Sequence, residues 1–131
     1  MFESHGKYDI GIENNLITLT VKGSWNIELA NAFFMHFKSF MEKASNNFKP
    51  PFNILVISED NWLATPECIE KLLEIPVIGR SHGIKNEAFV LETKLAESIL
   101  KNTLLAPVDL PANYQFFTNL EDAHNWIKSL S

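Results

Sequence analysis

Phe52-Asn53-Ile54-Leu55-Val56-Ile57 is a nearly continuous apolar run. A strand with one face in water alternates apolar and polar residues. An unbroken run suits a strand covered on both faces, as in parallel sheets. Further on, Thr65-Pro66-Glu67 has the order of a helix start. A hydroxyl caps the first turn, a proline sits where its missing N–H is not needed, and a glutamate meets the positive end of the helix dipole. Ile69, Leu72 and Leu73 carry this helix to an expected break at Pro76, and the polar stretch from Ser58 to Ala64 reads as the loop between strand and helix. Strand, loop and helix in that order are the unit of an α/β fold.

Upstream, Tyr8, Ile10 and Ile12 alternate with polar or small residues, and Leu16 to Val21 is apolar and β-branched. Glu13-Asn14-Asn15 between them tolerates positive φ, which predicts a hairpin closed before Gly23-Ser24. Asn26 reads as the N-cap of a helix from Ile27 to Ala44. Its spacing puts Leu29, Ala30, Phe33, Phe34, Phe37, Phe40, Met41 and Ala44 on one face, leaving Met35 on the polar side. That phenylalanine stripe suits either packing on a sheet or the lining of a ligand cavity. Downstream, Val77 to Ile84 is ambiguous, Glu87 to Leu91 reads as a second buried strand, and Leu95, Ile99 and Leu100 mark a third helix. Pro107 and Pro111 bracket a loop, Tyr114 to Phe117 is a short strand, and Leu120 to Leu130 an amphipathic helix. The expected fold is a single α/β domain over 1–131. A β-hairpin opens its five-stranded, mostly parallel mixed sheet, covered by about four helices joined through right-handed crossovers.

Composition agrees with such a body. Of 131 residues, 46% are hydrophobic and 21% charged, enough to fill a core without disulfides or metal. Sixteen acidic residues against eleven basic give a charge of −5, with the basic ones scattered. Nucleic-acid binding needs a concentrated positive footprint, so no nucleic-acid partner is expected. Cys68 is the single cysteine, which excludes an internal disulfide. No apolar run approaches the roughly 20 residues that span a bilayer, and the first residues lack the pattern of a signal peptide. A cytoplasmic location without membrane insertion is the expectation.

Several segments carry a resemblance. Gly23-Ser24-Trp25-Asn26 precedes the first helix and Trp62-Leu63-Ala64-Thr65-Pro66-Glu67 the second. Gly83-Ile84 leads to Ala88-Phe89-Val90, and Phe116-Phe117 leads to Glu121-Asp122-Ala123-His124-Asn125-Trp126-Ile127. Together with the element order they resemble the STAS domain of anti-sigma-factor antagonists and sulfate-transporter tails. They also resemble a related bacterial family described as STAS-like or CRAL-TRIO-like. The resemblance implies fold far more than activity. Anti-sigma antagonists carry a phosphorylatable serine in an Asp-Ser-Ser-Gly-type loop before the second helix. Here that stretch reads Ser58-Glu59-Asp60-Asn61-Trp62-Leu63-Ala64-Thr65, so the phospho-switch does not carry over.

The chain has no Gly-x-Gly-x-x-Gly, no phosphate loop and no nucleophile elbow. His5, His36, His82 and His124 lack metal-ligand spacing. No cofactor and no metal are expected, nor an enzyme. The residues singled out for ligand or partner binding are Ser58, Asp60, Trp62, Thr65, Cys68 and Trp25. Five of them lie in the stretch where an α/β sheet places its crevices, at the carboxyl end of a strand. Cys68, in the first turn of its helix, is the candidate for a dipole-stabilised thiolate, and alternatively a small packed residue. Trp25 and Trp62 read as plugs over the sheet's end or as ligand contacts. The leading expectation is a non-enzymatic STAS-like module acting through protein contacts, with a protein partner or a homodimer. The alternative is a module for a small apolar ligand or lipid, built on the Phe-rich helix and the stretch before the second helix. A third is an enzyme using Cys68 or the acidic residues.

Overall fold

A computed structural model describes residues 6–105 and 112–130. The expected loop at Pro107 and Pro111 lies outside them. Strand β1 (Lys7–Glu13) pairs antiparallel with β2 (Leu16–Trp25) through a turn in which Asn14 has φ of 55°. An asparagine tolerates that left-handed backbone at low cost, so the turn sits where the sequence puts it. Helix α1 (Ile27–Asn47) follows, then β3 (Phe52–Ala64), α2 (Pro66–Leu72), α3 (Glu74–Ser81), β4 (Ile84–Val90) and α4 (Lys94–Ile99). After a wide helical turn over Leu100–Leu105 come β5 (Asn113–Phe117) and α5 (Leu120–Ser129). The sheet order is β1-β2-β3-β4-β5, antiparallel at β1 and parallel elsewhere. This is the mixed α/β sheet that the alternation of elements predicts.

Its two faces are covered unequally. Alternate residues of β3 point opposite ways, so Ile54 and Val56 belong to one core cluster and Leu55 and Ile57 to another. The larger cluster lies under α1, α2 and α3, and Ala30, Phe33, Phe37, Met41 and Ala44 of α1 are all buried. The predicted stripe faces the sheet, except that Phe34 is half-buried beneath the Lys71 ammonium, 3.8 Å from its ring centre. The smaller cluster joins Leu55, Ala88 and Val90 to Ala123 and Ile127 of α5.

Two expectations need correcting. The stretch from Ser58 to Ala64 is no loop, because β3 continues through it for a total of 13 residues. The strand survives its polar residues by bulging. Lys22 pairs with Glu59 and Ser24 with Leu63, so Asp60, Asn61 and Trp62 lie opposite Gly23 alone. Asp60 and Asn61 take φ of 52° and 51°, and Gly23 takes 68°. These are residue types that accept left-handed backbone. The second correction concerns Pro76, which breaks nothing. The helix stops at Leu72 and restarts at Glu74, placing Pro76 in the first turn of α3, where no N–H is required of it. The ambiguous residues from Val77 are thereby mostly helical.

Candidate functional site

The bulge in β3 determines where Trp62 goes. The two left-handed residues before it let the strand resume pairing at Leu63, and Trp62 is only 4% exposed, inside the larger core. Its ring stands edge-on to Trp25, 6.5 Å between centroids, and Trp25 in turn meets Phe33 of α1 edge-on at 5.3 Å. Offset and T-shaped contacts of this kind favour a defined arrangement of rings. Trp25 Nε1 donates to the carbonyl of Lys22 at 3.1 Å. Trp62 Nε1 is buried and, among the described residues, has no hydrogen-bond partner.

Beneath these rings, between the sheet and α1–α3, lies a cavity of about 90 Å³. Leu19, Val21, Ile54, Val56 and Phe89 form its floor, and Phe33, Phe37, Ile75 and Pro76 belong to its helical wall. Ser58 and Glu87 bring the polar side chains that accompany Trp62 there. Glu87 is held by a buried ion pair. Arg80 Nε donates to one carboxylate oxygen at 2.9 Å and Nη2 to the other at 2.7 Å, with both side chains under 7% exposed. That two-pronged bond raises the Arg80 pKa, against the opposing effect of burial. The negative charge of Glu87 therefore reaches the cavity already neutralised.

The six residues singled out from the sequence divide. Trp25, Ser58 and Trp62 meet at the cavity, the first from the end of β2 and the other two from β3. Asp60 is exposed at the bulge, and its neighbour Asn61 donates its backbone N–H to Glu92 at 3.1 Å. Thr65 serves as the cap, accepting from the Cys68 N–H at 3.2 Å. Cys68 is fully buried, and burial pushes its thiol up to about 11. Desolvation outweighs the helix dipole, so the thiolate expected as one alternative does not form near neutral pH. The Arg80–Glu87 pair went unread in the sequence because the two residues lie on different elements. A glutamate opening a buried strand is the one signal that pointed to it.

Among the described residues, no group of three or more His, Cys, Asp or Glu side chains comes together to hold a metal ion. No helix among them is long and apolar enough to cross a membrane. No protein-family model matches the sequence, and no curated protein does. Among solved structures, the chain is similar to an uncharacterized protein of the DUF3478 family from Shewanella loihica PV-4, described as having a SpoIIAA-like fold. The two superpose with a TM-score of 0.62 over 96% of each chain, at 16% identity. The fold is SpoIIAA-like. The STAS-like resemblance thus holds for architecture, and at this identity architecture is all that the likeness carries.

Proposed function

We propose that this SpoIIAA-like chain is a non-enzymatic binding module whose ligand, a small and largely apolar molecule, enters the cavity under Trp25 and Trp62. One observation carries the reading: an apolar cavity whose lining residue Trp62 has a buried N–H with no partner among the described residues. Packed interiors contain few voids, and such a void leaves its lining without contact partners. Ligand sites are typically apolar hollows with a few placed polar groups. The burial of Cys68 and the neutralised Glu87 favour binding over chemistry. Thermal unfolding across a panel of small uncharged compounds tests this. A ligand at 100 times its Kd adds about 2.7 kcal/mol to stability. Ser58→Leu, which fills the cavity from its floor, abolishes the shift while leaving the circular dichroism spectrum unchanged. A panel that never moves the midpoint rejects the reading.

A regulatory role through protein contacts has its own supporting observation. Leu63 and Leu95, beyond the bulge of β3 and in the first turn of α4, are 40% and 56% exposed. Apolar side chains left in water at the carboxyl end of a sheet suit a contact with a second copy of the chain. Sedimentation equilibrium of the wild type and Leu95→Asp tests it. A wild type that stays monomeric at every concentration rejects self-association.

A further inference from the structure

Trp62 is a strange choice for a wall that only needs to be apolar. Its indole N–H is buried with no acceptor among the described residues, whereas a phenylalanine would fill much the same space without a donor to strand. Buried polar groups are nearly always paired, and an unpaired one opposes folding. The neighbouring Trp25 shows the ordinary arrangement, its N–H bonded to the Lys22 carbonyl. Trp62 lines a cavity of about 90 Å³, and none of the described residues receives its indole proton. The ionised group in the lining is Glu87, and Arg80 neutralises it through two hydrogen bonds. An anionic ligand would therefore lose its water and meet a carboxylate with no cation set aside for it.

We infer that the ligand carries an uncharged hydrogen-bond acceptor, a ketone, ester or ether oxygen, which takes the Trp62 Nε1 proton inside the cavity. This rests on the cavity being a ligand site, as proposed above, and adds the chemical class that it selects. A cavity of roughly 150 Å³ accommodates benzene, so this smaller one holds a group of a few heavy atoms beside the acceptor.

Butan-2-one and 2-methylbut-1-ene, which differ in an oxygen replaced by CH₂, are the probes. Both are titrated into wild-type protein and Trp62→Phe, following indole ¹H–¹⁵N resonances by NMR, with the Trp62 signal assigned by its absence in the variant. In the wild type the ketone moves that proton downfield and the alkene does not. Trp62→Phe weakens the ketone about tenfold relative to the alkene, the usual effect of losing one buried hydrogen bond. If the alkene binds and the ketone neither shifts the indole proton nor depends on Trp62, the acceptor inference falls while the cavity reading stands. If neither compound binds, both fall. Should the variant fold poorly, the Trp62 indole is assigned in the wild type from its NOE contacts with Trp25, and its shift then decides the matter.

Discussion

Glu87 takes a charge into the interior of the sheet because Arg80 lies opposite to meet it with two hydrogen bonds. Such a pair adds little net stability, since desolvation opposes the attraction, but removing one partner strands the other. Glu87→Leu is expected to lower stability by about 3–5 kcal/mol. Adding Arg80→Met should recover most of that loss, and urea midpoints of the two variants check both outcomes. Cys68 supports a second prediction at this scale. Its thiol titrates near 11 in the folded chain, against an ordinary value of 9.0. The folded state thus keeps a proton that the unfolded state has released. Stability from this group is fully present below pH 9.0 and declines as pH rises toward 11. The stability difference between wild type and Cys68→Ala should accordingly shrink across that window, measured by urea unfolding at successive pH values. Cys68 itself was visible in the sequence. Its burial was not, because a first-turn position can face either water or the core.

Helix starts were the most legible elements. Asn26 and Thr65 cap α1 and α2 as expected, each accepting a backbone N–H three residues on, and Asn119 caps α5 in the same way, a cap that the sequence reading did not name. The cue is local, so one tripeptide such as Thr65-Pro66-Glu67 suffices to place it. Thr65→Ala should lower the urea midpoint by the equivalent of about 1 kcal/mol, with Thr65→Ser close to wild type. The continuation of β3 was illegible for the opposite reason. Ser58-Glu59-Asp60-Asn61 is polar and reads as a turn, and whether a turn or a bulge results depends on β2 pairing on both sides of it. Gly23 on β2 and Asn61 on β3 are far apart in sequence. Their shared irregularity exists once the strands are side by side.

Across the molecule, the two faces of the sheet predict two levels of local stability. The β2–β3 centre is buried under three helices, while among the described residues α5 supplies the helical side of the smaller cluster, next to the exposed edge strand β5. Amide exchange should therefore be fastest to open in β5 and α5 and slowest in β2 and β3. Hydrogen–deuterium exchange with peptide mapping reads this directly, and uniform protection would contradict it. By itself the sequence determined the order of the strands, the α/β class, the apolar stripe of α1 and the caps at Asn26 and Thr65. Each of these follows from periodicity or from residues within a turn of one another. Only the tertiary structure decided that Ser58, Trp62 and Trp25 share a cavity, that Glu87 is neutralised by Arg80, and that Cys68 is sealed from water. Those outcomes depend on distances between residues remote in the chain, and no local pattern encodes a void or a pairing that forms when separate elements close around it.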